Sequence, residues 1–184
     1  MSVTADRSIP LSLNKIIENA GYIFQGECIN IRTGRDPETN LLATWFTFRV
    51  KQGIKGDLGE EFVLKQYGGS DENYTITPTS VQYEVGEELV LFVYPPSSIG
   101  FSSSVGLHQG KFLIKKFENN EKRFVTNGTP AMVLFEGMDE KIPTRDTAGT
   151  RAEGITQLKS DKMELDEFLS FVKKQVQQKN MMEK

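Results

Sequence analysis

ELVLFVY, residues 88–94, carries apolar side chains at both parities of an extended chain. A strand with one wet face alternates in polarity, so this run is expected to be a central strand or to lie under a helix. Both neighbours in sequence are loops. Gly68 to Gln82 is a polar loop upstream, and PPSSIGFSSS, 95–104, forbids regular structure downstream.

Further out, short strands are cut by Gly, Pro, Asn and Asp. YIFQGECINI, 22–31, is β-rich, with Gly26 at a bulge or bend. TGRDPETN, 33–40, reads as a polar turn. In 41–50, Leu42, Phe46, Phe48 and Val50 share one face while Trp45, Thr47 and Arg49 share the other. GIKGDLGE, 53–60, is a glycine-punctuated loop, and EFVLKQY, 61–67, is a strand. KFLIKKF, 111–117, is another, with Phe112 and Ile114 inward and Lys115 toward solvent. In RFVTNGTPAMVLF, 123–135, Asn127-Gly128 between two apolar runs predicts a further hairpin.

Helices are expected at the two ends. LSLNKIIENA, 11–20, sets Leu13, Ile16, Ile17 and Ala20 on one stripe, with Ser12 as N-cap and Gly21 as stop. Asp161 and Glu164 resemble a capping box ahead of a helix over 161–178. Its stripe of Leu165, Phe168, Leu169, Val172 and Val176 must dock, most cheaply on the barrel surface. The chain therefore divides into a flexible N-terminus (1–10), a β domain with its opening helix (11–135), a polar linker or mobile loop (136–160), the docked C-terminal helix, and a frayed tail (179–184). The fold class is mainly β with flanking amphipathic helices, and strands at this spacing suggest a five- or six-stranded antiparallel barrel.

Composition narrows the function classes. The 184 residues hold one Cys and one His, which excludes internal disulfides, cysteine-rich zinc modules and multi-histidine metal sites. No metal and no cofactor is expected. A net charge of -3 supplies no basic field for a phosphate backbone, so nucleic acid is disfavoured even though Trp45, Arg49, Lys51, Lys65 and Tyr67 could form a basic, aromatic patch. No apolar run is long enough to span a bilayer as a helix. MSVTADRSIP lacks the apolar core of a signal peptide, so the chain is either cytoplasmic or follows a trimmed export signal. The sequons at Asn73 and Asn127 matter only in a glycosylating pathway.

Five pieces in order carry a resemblance: IIENAGYIFQGECI, TWFTFRVKQGIKG, VLKQYGG, YEVGEELVLFVYP and VGLHQGKFLI. Together they resemble a group of small, largely uncharacterised exported bacterial proteins with an OB-like barrel, similar to the netrin and metalloproteinase-inhibitor fold. The resemblance covers about Leu13 to Lys116 and implies an extracytoplasmic home, periplasmic or secreted. It implies no enzymatic activity. The inhibitors chelate a protease zinc through an N-terminal cysteine, and a chain beginning Met1-Ser2 has none before Cys28.

Cys28 and His108 form the one nucleophile–base combination, but Cys28 lies within a strand, where a thiol usually packs. The better candidates are apolar side chains on polar loops, Ile99 and Phe101 in one and Tyr74 and Ile76 in the other, together with Trp45 of the strand 41–50. The expected function is a non-enzymatic extracytoplasmic module that binds a protein or glycan through its loops. The alternatives are a small Cys- or carboxylate-dependent hydrolase and an extracellular protease inhibitor that acts by loop insertion.

Overall fold

Leu89, Leu91 and Val93 point to one side of a strand, Val90 and Phe92 to the other, and all five are buried. In the computed structural model, which describes residues 9–77, 81–119 and 121–182, this strand (Glu88–Val93, β6) is the middle of a seven-stranded antiparallel sheet. The other long elements are α1 (Leu13–Asn19), β1 (Tyr22–Arg35), β2 (Leu42–Lys55), β3 (Glu61–Tyr67), β7 (Lys111–Lys116) and α4 (Leu165–Met182). The short ones are β4 (Gly69–Ser70), β5 (Thr75–Ile76), β8 (Arg123–Thr126), α2 (Ala131–Leu134), α3 (Gly154–Lys159) and β9 (Met163–Glu164). Across the sheet the order is β3-β2-β1-β6-β7-β8-β9, and β4-β5 is a separate hairpin.

Because β6 is apolar on both faces, it divides two cores. One joins Val90, Phe92, Phe112 and Val125 of the sheet to Leu13, Ile16 and Ile17 of α1 and to Phe168, Leu169 and Val172 of α4. The other fills the opposite side with Phe24, Cys28, Phe46, Phe48, Leu64, Leu89 and Leu91, closed by Val81 and Tyr83. Tyr83 meets the Phe46 and Phe48 rings edge-on at 4.8 and 5.1 Å.

β1 is long and irregular, and its register against β2 shifts at three places, one between Gln25 and Gly26. A Cβ on Gly26 would stand 2.6 Å from the Arg49 carbonyl oxygen, so the expected bulge needs glycine for its close approach. Gly56 ends β2 at φ +91°, where a Cβ would strike the Tyr22 ring at 2.5 Å.

The structure changes several expectations. The β1–β2 hairpin is longer at both ends: Thr33-Gly34-Arg35 and Gly53 to Lys55 are strand, which leaves the turns at 36–41 and 56–60. The run after Asn127-Gly128 is no second arm of a hairpin. Pro130 caps a one-turn helix, α2, whose Ala131 N–H bonds the Ser160 carbonyl. The hairpin partner of β8 is instead β7. Asp161 does not open α4, because its carboxylate accepts the Thr126 hydroxyl at 2.6 Å and Met163–Glu164 pair with Phe124 and Val125. The helix therefore starts at Leu165 and, where a frayed tail was expected, runs through Met182. The extra β9 gives the main sheet seven strands rather than five or six, and the β4–β5 hairpin stands apart from it. Residues 136–160, expected as a linker or loop, bury Ile142, Thr144 and Ala152. The expected flexible N-terminus falls largely outside the described residues, as do the last two of the tail.

Candidate interaction surface

Register brings three side chains into one row. Arg32 of β1 lies opposite Trp45 of β2, and Trp45 opposite Lys65 of β3. Phe46, Phe48 and Leu64 point into the core, so their neighbours in sequence, Trp45 and Lys65, face outward with Val63 and Tyr67. The Arg32 guanidinium covers the Trp45 ring at 3.9 Å from its centroid. Lys65 Nζ sits 4.6 Å from the centroid of Phe101, whose ring also meets Tyr67 at 6.4 Å.

The loop that delivers Phe101 is held by its own backbone. Ser97 N–H donates to the Phe101 carbonyl at 2.8 Å, Gly100 N–H donates to the Ser97 carbonyl at 2.9 Å, and the Ser97 hydroxyl accepts the Phe101 N–H. Ser102 then donates its N–H to the Lys65 carbonyl at 2.9 Å and its hydroxyl to the Tyr94 carbonyl at 2.7 Å. Phe101 is thus half-buried on Lys65, while Ile99 at the tip stays 46% exposed.

Asp36 anchors the row from the β1–β2 turn. It is nearly buried, accepts the Thr39 hydroxyl at 2.7 Å and stands 3.1 Å from Lys65 Nζ. The Thr39 hydroxyl, followed by Lys65, holds this carboxyl below the usual carboxylate range against the opposing effect of burial.

Tyr74 and Ile76 belong to the β4–β5 hairpin rather than to this row. Ser70 N–H bonds the Thr33 hydroxyl at 2.7 Å, and Arg35 Nε lies 2.7 Å from Asp71 Oδ2, which fastens the hairpin to β1. Tyr74 is 64% exposed, with the Arg35 guanidinium 5.7 Å from its ring centre. The structure therefore unites Trp45 and Phe101 at Lys65 and sets Tyr74 and Ile76 on a second, smaller projection. Arg32, Asp36 and Val63 were missed from the sequence. The cross-strand register reveals Arg32 and Val63, and contacts with Thr39 and Lys65 reveal Asp36.

Cys28 is fully buried, its Sγ 3.9 Å from the Asn30 carbonyl oxygen, and burial pushes its thiol up. That is the reverse of an activated thiolate. His108 lies exposed in the 3-10 turn Leu107–Gly110, away from the core that holds Cys28. Among the described residues, no three of His, Cys, Asp and Glu converge as a metal site would require, and no helix is long and apolar enough to cross a membrane. No family model matches the chain, and no curated protein or solved structure matches it at a significant level.

Proposed function

We propose that the chain is a non-enzymatic binding module that works outside the cytoplasm on an OB-like barrel scaffold and engages a protein partner through the Arg32–Trp45–Lys65–Phe101 surface. The observation that carries this reading is the meeting of Phe101 and Trp45 at Lys65, which leaves aromatic and cationic groups on a rigid sheet instead of folding them into the core. Aromatic and Arg side chains are the usual anchors of protein interfaces. A glycan is the less suitable occupant, because Arg32 covers a Trp45 face on which a sugar ring would stack. The barrel reading is supported by the Ser102–Lys65 hydrogen bond, which links β3 back to the segment after β6.

Joint replacement of Ile99 and Phe101 by Asp tests the proposal. The melting temperature is expected to fall by only a few degrees, the effect of about 1 kcal/mol, while capture of the partner from extracellular material is lost. A large thermal destabilisation with capture intact would overturn it.

A further inference from the structure

The outer edge of β3 is only partly used. β3 ends the sheet order, and its even-numbered neighbourhood bonds to β2: Gly68 N–H donates to the Leu42 carbonyl, and Val50 N–H donates to the Glu60 carbonyl. Odd-numbered residues must then aim their N–H and C=O groups away from β2, as the Lys65 carbonyl does in accepting Ser102. By the same parity the N–H and C=O of Glu61 and Val63 face outward. No described residue gives the Val63 groups a backbone partner. The opposite edge of the sheet is treated differently, since Thr144 pairs with Met163 of β9.

Beside the free stretch runs a groove of about 300 Å³ whose apolar walls are Tyr22, Phe62, Leu64, Val93, Tyr94 and Pro96. The Tyr22 and Phe62 rings meet there at 5.1 Å, tilted by 50°. Val63 is 54% exposed, and neither a proline nor a bulge interrupts β3. Edge strands are usually blunted by such devices.

We propose that this edge takes an extended peptide segment of the protein partner by strand addition, with backbone hydrogen bonds to Val63 and Glu61 and one apolar side chain seated in the groove. The proposal rests on the binding-module reading and specifies its mode. A second copy of the chain is the wrong occupant. Two-fold pairing centred on Val63 would set the partner copy's Glu61 opposite Lys65, where Ser102 already sits. The free stretch fits a strand of about three or four residues, roughly 10–13 Å.

The probe is the peptide acetyl-Lys-Thr-Val-Thr-Val-Thr-Lys-amide, titrated into the full chain and followed by the amide resonances. Saturable shifts centred on Glu61 and Val63 are expected, and N-methylation of the central Thr should weaken binding by about tenfold or more, the loss of a backbone hydrogen bond in the ladder. Ile155→Ser, an exposed change on α3 that lines no wall of the groove, should leave the peptide affinity within about twofold. Absence of binding at roughly 1 mM peptide overturns strand addition, as do shifts elsewhere or equal binding of the methylated peptide. A dimer in sedimentation that the peptide dissociates overturns it in favour of self-pairing. If the peptide fails while the Ile99 and Phe101 double variant still abolishes capture, strand addition falls and the binding-module reading stands. If the peptide binds while that double variant leaves capture intact, the Phe101 surface falls as the contact and strand addition stands.

Discussion

Arg32 and Trp45 face each other across the β1–β2 register with the guanidinium carbon 3.9 Å from the ring centre. At a partly exposed site such a contact stabilises by about 0.5–1 kcal/mol. Trp45 is the only tryptophan, so its fluorescence reports on this surface alone. Arg32→Ala is expected to uncover the indole, shift its emission to the red and cost about that much in a urea titration. An unchanged spectrum would show that the pair does not form in solution.

Phe168 makes the second test. Its ring lies 4.7 Å from Phe112 and 6.3 Å from Phe92, and it is fully buried where α4 docks on the sheet. Truncation of such a ring to Ala costs about 3–5 kcal/mol. Phe168→Asp should cost more, because it buries a carboxylate, whereas Phe168→Leu should cost about 1.5 kcal/mol or less. Equal, small losses in all three variants would mean that α4 does not dock through this side chain.

Gln66 is 1% exposed, and neither its amide nor the hydroxyl of buried Tyr83 makes a hydrogen bond of good geometry, although that hydroxyl lies near Gln66 and Ser104. Burial drives the Tyr83 hydroxyl far above its ordinary pKa. Replacing unbonded buried polar groups with apolar groups of similar shape is neutral or stabilising, by about 1 kcal/mol. Gln66→Met and Tyr83→Phe should therefore keep or raise the melting temperature. A loss of several degrees in either would show that the polar group is satisfied in solution.

Asp36 sets a pH dependence. Its carboxyl is held below its ordinary value of 3.8 by the Thr39 hydroxyl and by Lys65. A group whose folded pKa is depressed binds protons more readily when unfolded, so its stabilisation is complete above about pH 4 and is lost as pH falls through the folded value. Asp71, held low by the N–H groups of Asn73 and Tyr74, adds in the same direction. The drop in melting temperature between about pH 6 and pH 3 should be smaller in Asp36→Asn than in the parent chain. An identical drop would remove Asp36 as a contributor.

Short apolar runs bounded by turn residues were legible in the sequence. EFVLKQY coincides with β3, and ELVLFVY contains the doubly buried β6. What the sequence hid depends on partners distant along the chain. Asp161 looks like a cap until Thr126 takes its carboxylate, and AMVLF looks like a strand until Ser160 accepts a hydrogen bond from Ala131. The candidate surface was half legible for the same reason. Trp45, Ile99 and Phe101 stand out by residue type, but Arg32 and Val63 matter only through their places in the register, and the bulges of β1 reset that register in a way no local pattern records.

The two cores have different places in the order of synthesis. Every member of the Phe24–Phe46–Phe48 core lies within residues 24–93, whereas the core under α4 draws on residues as late as Val176. A chain emerging from the ribosome N-terminus first can complete the former while α4 is still inside the exit tunnel. Until then Phe92, Phe112 and Val125 lack their Phe168, Leu169 and Val172 cover, so a ribosome stalled near residue 160 would display a half-finished protein with one dry interior and one greasy flank. Chaperone engagement should accordingly concentrate in that late window of translation.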